Sequence, residues 1–292
     1  MHTLHRSGQS ARRLPALPAL CVSIALLIAA LPADAALLSG YFRHNAPGVW
    51  VNYESRQTAV GGPLSDSNVP IPQIAGSYTV DYGSIRVSSQ NLGIQDGTFG
   101  FSNAGSSATF QDSLTISSPG IPPYMTGTMI ARLDVSGSLM ATGNGQSLFI
   151  VDVNAPYFGQ QITGAFYGPT LGFPPTIIGE GFGSHLLEIP FIFSQPFSLS
   201  VTGSTDATVQ MNDSGSAHTN LSNTIGWGGI LEIRDEFGAI LDFSVVSESG
   251  YDYATVQAVP LPASAWLLVT GLAGLVARRR LACKRSCRDD MA

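Results

Sequence analysis

Between residues 36 and 258 a period-two alternation of apolar and polar side chains recurs, and no stretch sustains the 3.6-residue period of an amphipathic helix. That pattern argues against helical bundles and against parallel α/β folds, whose crossovers usually need helices. It predicts strands over residues 49–53, 77–82, 85–89, 98–101, 108–116, 128–140, 147–153, 161–167, 186–193, 197–203, 207–211, 229–234 and 239–246, separated by Gly, Pro, Asn and Asp. Within 109–116, Phe110, Leu114 and Ile116 share one face with Asp112, while the other carries Thr109, Gln111, Ser113 and Thr115. One face is expected in the core and the other in water. The runs 230–233 and 240–245 flank Asp235-Glu236-Phe237-Gly238, which reads as a hairpin turn with glycine at the tight position. About a dozen short strands at this spacing predict an all-β, antiparallel β-sandwich or jelly-roll-like domain. Residues 61–75 and 168–183 are rich in Pro and Gly and lack alternation. Both are expected to be long loops within one domain, because either flank alone would hold too few strands to close a sandwich.

The charge of this span narrows its partners. It holds five arginines and no lysine against 17 Asp and Glu, a formal −12. Nucleic acid and anionic membrane surfaces are poor partners for such a field, whereas cations and neutral glycans remain open. Disulfides cannot brace the domain, since Cys21, Cys283 and Cys287 all lie outside it. The last two would give zinc only half of a tetrahedral site.

Both ends carry addresses rather than fold. His2, His5, Arg6, Arg12 and Arg13 precede an apolar stretch over 14–31, and Ala33-Asp34-Ala35 supplies a small-residue cleavage site before Ala36. Residues 1–35 therefore read as a signal peptide, with a retained N-terminal anchor as the alternative. At the other end Val259-Pro260-Leu261-Pro262-Ala263 leads into an uncharged run over 261–277 and then Arg278-Arg279-Arg280. As a helix, that run of 17 residues spans roughly 25 Å, just enough to cross a bilayer. The arginines, with Lys284, Arg285 and Arg288 beyond, favour a cytoplasmic C-terminus and place the preceding domain outside.

This tripartite tail resembles the PEP-CTERM sorting signal of Gram-negative, exopolysaccharide-producing bacteria, in the variant whose motif reads Val-Pro-Leu-Pro-Ala. The resemblance implies processing by an exosortase, a membrane-embedded cysteine transpeptidase-like protease, and delivery to the cell surface or the extracellular polysaccharide matrix. Twelve residues follow the arginines, more than such signals usually carry. A permanent single-pass anchor is the alternative. The stretch Asn223-Thr224, Asp235, Gly238 and 247–253 is also similar to the ending of secreted β-domains that precede these signals. The expected organisation is a signal peptide (1–35), a secreted β-domain (36–258), the sorting signal with its membrane helix (259–280) and a basic cytoplasmic tail (281–292).

Chemistry is sparse in what remains. His44, His185 and His218 are the domain's histidines, and the zinc-protease, serine-hydrolase and P-loop motifs are absent from the sequence. His185 and Glu188 stand three apart, which on a strand puts them on opposite faces. Glu180 and Glu188 would be a glycosidase pair only by chance proximity. No catalytic residue is expected. Calcium would find oxygen ligands at Asp66-Ser67-Asn68, Asp152-Val153-Asn154, Asn212-Asp213 and Asp235-Glu236, but these lack a complete Ca²⁺-loop spacing and are ordinary turn formers. No resident metal or cofactor is expected.

Sugar stacking would use Trp50 with Tyr53, Tyr157 with Phe158, Phe166 with Tyr167, or Trp227. Trp50 and Trp227, the latter among Gly226, Gly228 and Gly229, are the candidate glycan-binding residues. The expected function is that of an exported structural or adhesive surface protein. A carbohydrate-binding module is the first alternative and a glycan-active hydrolase on a jelly-roll scaffold the second.

Overall fold

The computed structural model describes residues 36–45, 57–59, 62–93, 101–169, 176–179, 181–210 and 215–255. The expected signal peptide, the strand at 49–53 with Trp50, and the whole sorting signal lie outside these residues. Fifteen strands are described: β1 (Leu37–Asn45), β2 (Gln57–Ala59), β3 (Leu64–Ile71), β4 (Ile74–Asp81), β5 (Ser84–Asn91), β6 (Phe101–Ser117), β7 (Thr126–Thr142), β8 (Gly145–Ala155), β9 (Phe158–Tyr167), β10 (Thr176–Ile178), β11 (Gly183–Ile192), β12 (Pro196–Gln210), β13 (Ser216–Asp235), β14 (Ile240–Leu241) and β15 (Ser244–Ser247).

They form two sheets. The first runs β10-β9-β8-β12-β6-β1-β2 with β15 on the far end of β6, and the second runs β11-β7-β13-β5-β4-β3 with β14 on β13. The pairings are antiparallel throughout. Alternation explains the layering. Along β12, Phe197, Leu199, Val201, Ala207 and Val209 are buried, while Ser198, Ser200, Thr202, Ser204 and Thr208 face outward. Phe110, Leu114 and Ile116 of β6 and Ile85, Leu133, Leu187 and Ile225 of the second sheet join the same core cluster. Each large side chain so buried contributes roughly 1.5–3 kcal/mol.

Several strands are longer than the sequence predicts. Residues 197–203 and 207–211 are one strand up to Gln210, and Gly203 marks a close approach rather than a turn: a Cβ there would stand 2.3 Å from Ile225 Cδ1 of the facing sheet. The expected loop at 61–75 contains β3, an edge strand. Pro70 is tolerated because it sits where the β3–β4 register shifts between Asn68 and Ile71, so its missing N–H breaks no ladder bond. The second Pro/Gly-rich stretch contributes the short edge strand β10. Over 239–246 the single expected strand is two short pieces, β14 and β15, on different sheets. The hairpin turn is as read: Asp235 Oδ1 accepts the Phe237 and Ala239 amides at 2.9 and 2.8 Å, and Gly238 adopts φ 83°.

A polar seam crosses the interior at one end. Ser89 on β5 meets Thr205 on β12 at 2.8 Å, Ser106 on β6 donates to the Ser88 carbonyl at 2.7 Å, and Asn91 on β5 donates to Ser102 on β6 at 2.9 Å. Thr219 on β13 donates to the Asp206 carbonyl at 2.6 Å. Beyond the seam a small second cluster forms from Ile74, Ala104, Ala207, Val209 and Ala217.

Beside the seam, His44 is 2% exposed and neither ring nitrogen has a hydrogen-bond partner among the described residues. Burial lowers its pKa from the ordinary 6.5. The unfolded chain therefore binds a proton near 6.5 that the folded chain resists, so the stabilisation is full above that value and is lost as pH falls below it. The melting temperature should fall between pH 7 and pH 5, above the carboxylate range, and His44→Phe should flatten that fall. An unchanged slope in the variant would remove His44 as its source.

Candidate functional site

Trp227 offers no open ring face for a sugar. It is 2% exposed, packs edge-on against Tyr253 with centroids 5.6 Å apart, and its indole N–H donates to the Tyr253 carbonyl at 3.1 Å. The expectation of a glycan platform at Trp227 is corrected to a core role. The flanking glycines have their own reason: β13 shifts register between Trp227 and Ile230, Gly229 takes φ 93°, and a Cβ on Gly228 would stand 2.4 Å from Arg132 Nε. They shape a bulge rather than bare a ring. Trp50 lies outside the described residues.

Trp227 is one wall of a socket that receives residues 247–253. Asp112 on β6 is fully buried among apolar neighbours, and its carboxylate accepts the Ser113 amide at 2.8 Å, the Ser249 amide at 3.1 Å and the Ser249 hydroxyl. Glu248 donates its amide to the Ser113 carbonyl at 3.0 Å, and Ser247 donates its hydroxyl to the Tyr251 carbonyl at 2.7 Å. Tyr253 is fully buried, and Ile230 donates to its carbonyl at 3.1 Å. Burial first, and then the charge of nearby Asp112, push the Tyr253 hydroxyl's pKa up, so the ring stays neutral. Three donors on a buried carboxylate make its desolvation tolerable, because charge-assisted bonds are about twice as strong as neutral ones. Residues 247–253 thus plug the β-domain.

The other sequence candidates scatter. Tyr157 stands 93% exposed at the β8–β9 turn with φ 63°, beside an apolar groove of about 370 Å³ that includes Pro156, Pro190 and Phe191. Tyr167 is at the edge near β10, where its hydroxyl accepts from Gln146 at 3.2 Å. His185 lies on the inward side of β11, its Nε2 3.1 Å from the Gly181 carbonyl, and Glu188 faces outward. Asp66 and Asp152 accept from Ser67 and Gln161, at 2.7 and 2.8 Å, and Asp235 caps its own turn. Among the described residues no group of three or more His, Cys, Asp or Glu is placed to hold a metal ion.

Sequence reasoning missed the outer face of the first sheet. Ser107 meets Ser204 at 2.9 Å, Thr109 meets Thr202 at 2.8 Å, and Asn103 reaches Thr208 at 2.9 Å, so paired polar side chains run along β6 and β12. A Ser/Thr-rich alternation on both strands was the available signal. The fold and these surfaces define an all-β protein with antiparallel sheets. No family model matches the chain, and no curated protein is significantly similar to it.

Proposed function

We propose that this is an exported, non-catalytic β-sandwich protein of the cell surface or extracellular polysaccharide matrix, with a structural or adhesive role, whose C-terminal tail is a sorting signal removed by an exosortase. The observation that carries this reading is the plug at residues 247–253. Tyr253 is fully buried, and among the described residues the last bonds to the rest of the domain are made there, six residues before Val259. Among the described residues no core side chain lies beyond Tyr253, which suits a tail that is removed once sorting is complete. Six extended residues reach about 20 Å, which keeps the domain close to the membrane until the tail is cut. At the other end, cleavage after Ala35 would leave β1 starting one residue into the mature chain.

Intact-mass analysis of the protein from its native host, with and without the processing enzyme, tests the reading. The expected mass corresponds to a span from Ala36 to the neighbourhood of Pro260, and it should disappear when the enzyme gene is deleted. A mass that retains 266–292 in membrane fractions would make the tail a permanent anchor and overturn the sorting half of the proposal.

A further inference from the structure

We propose that a shallow depression on the outer face of the first sheet, floored by Gly105 and flanked by Tyr41, Arg43 and Asp206, binds one unit of a neutral polysaccharide chain. It deepens the adhesive reading above by naming a ligand class and a site. The depression encloses about 150 Å³. Two adjacent rows across four strands build it: Tyr41 (β1), Ser107 (β6), Ser204 (β12) and Ile150 (β8) in one, and Arg43, Gly105, Asp206 and Leu148 in the other. Neighbouring strands lie about 4.8 Å apart, so Arg43 and Asp206 face each other across roughly 10 Å of open floor, a gap on the scale of one sugar ring with its hydroxyls.

Gly105 is what opens that floor, and the fold does not require it. Its φ lies outside the left-handed region, and a Cβ there would meet nothing closer than 3.4 Å, ordinary contact. The inward glycines differ: a Cβ on Gly40 would stand 2.3 Å from the Tyr78 ring, and one on Gly76 2.5 Å from Ser106 Oγ. Glycine in a strand interior costs about 0.5–1 kcal/mol relative to alanine. At Gly105 that cost has no return in packing or backbone geometry, and the return is the space above it.

The walls suit a polyol. Asp206 is held in place by Asn103 Nδ2 on one oxygen at 2.6 Å and Thr208 Oγ1 on the other at 2.7 Å, which leaves lone pairs on both for ligand hydroxyls. Arg43 is exposed, makes no ion pair among the described residues, and brings a fork of donors for hydroxyl and ring oxygens. Tyr41, 42% exposed, presents a ring to the apolar face of a sugar. The two charges cancel, so neither an anion nor a cation is favoured. From the depression the β6–β12 register continues through Ser107/Ser204, Thr109/Thr202, Gln111/Ser200 and Ser113/Ser198, a polar track about 27 Å long. A chain of hydroxyls fits a track of hydroxyls, whereas a free amino acid would use only its first step.

The test titrates the protein purified from its host, whether or not its tail has been removed, with soluble cello-, laminari- and malto-hexaose, following binding by calorimetry. At least one hexaose should bind with an affinity unchanged between low and high salt. Gly105→Val should weaken that binding at least about tenfold while leaving the melting temperature equal or higher, and Tyr41→Ala should weaken it with the fold intact. No binding by any of the three hexaoses, stronger binding of glycine or of an anionic hexaose, or full-strength binding by Gly105→Val would each overturn the proposal. None of these readouts depends on how the tail is processed, so the site and the sorting reading stand or fall separately.

Discussion

Trp227→Ala should destabilise the domain by about 3–5 kcal/mol, the range for removing a large aromatic from a core that cannot collapse around the gap. The ring is 2% exposed, sits edge-on to Tyr253 and belongs to the main core cluster. Its loss also strips the indole donor from the Tyr253 carbonyl, which keeps only the Ile230 amide. For a domain of this size the melting temperature should drop by roughly 10 °C. Trp227→Phe, which restores most of the volume but not the N–H, should recover more than half of the loss in a urea titration. If the alanine variant melted like the parent, the core role of Trp227 would be wrong.

Asp112→Ala should cost about 3 kcal/mol and act locally before it acts globally. The substitution orphans the Ser249 amide and hydroxyl and the Ser113 amide, donors that the buried carboxylate satisfies together. Hydrogen bonds to charged groups contribute roughly 1.5–3 kcal/mol each, and removing a buried carboxylate returns part of that by relieving its desolvation. Asp112→Asn keeps one acceptor and should lose less. The distinguishing readout is limited proteolysis: with the plug loosened, cleavage within 244–255 should precede unfolding of the rest, whereas in Trp227→Ala the core is weakened as a whole. Equal protection of that segment in both proteins would separate Asp112 from the closing of the domain.

Much of the layering was legible because alternation is local. Phe110, Leu114 and Ile116 with Asp112 on one face were readable, and so was the oddity of a carboxylate among them. The partner of that carboxylate was not, because Ser249 lies 137 residues further along and spacing carries no trace of it. β1 escaped notice since two of its inward positions are Gly40 and His44, which break the apolar rhythm; Gly40 is there because the Tyr78 ring occupies the space of its side chain. The first half of β13 hides the same way behind Ala217 and Thr219. Trp227 among glycines suggested exposure, yet those glycines serve a register shift. Around Gly105 the run Ser102-Asn103-Ala104-Gly105-Ser106-Ser107 looks like a loop, and only its pairing with β1 and β12 reveals a sheet surface.

The polar seam has a consequence for inheritance. Ser89 and Thr205 sit 116 residues apart, and Asn91 and Ser102 sit 11 apart, yet each pair is hydrogen-bonded between the two sheets. A mutation that makes one partner apolar takes the shortest hydrogen bond from the other in the interior, while changing both together to small apolar residues costs less. Descendants of this gene should therefore alter these positions in couples or not at all. Such paired changes would record, in related sequences alone, which faces of the two sheets touch.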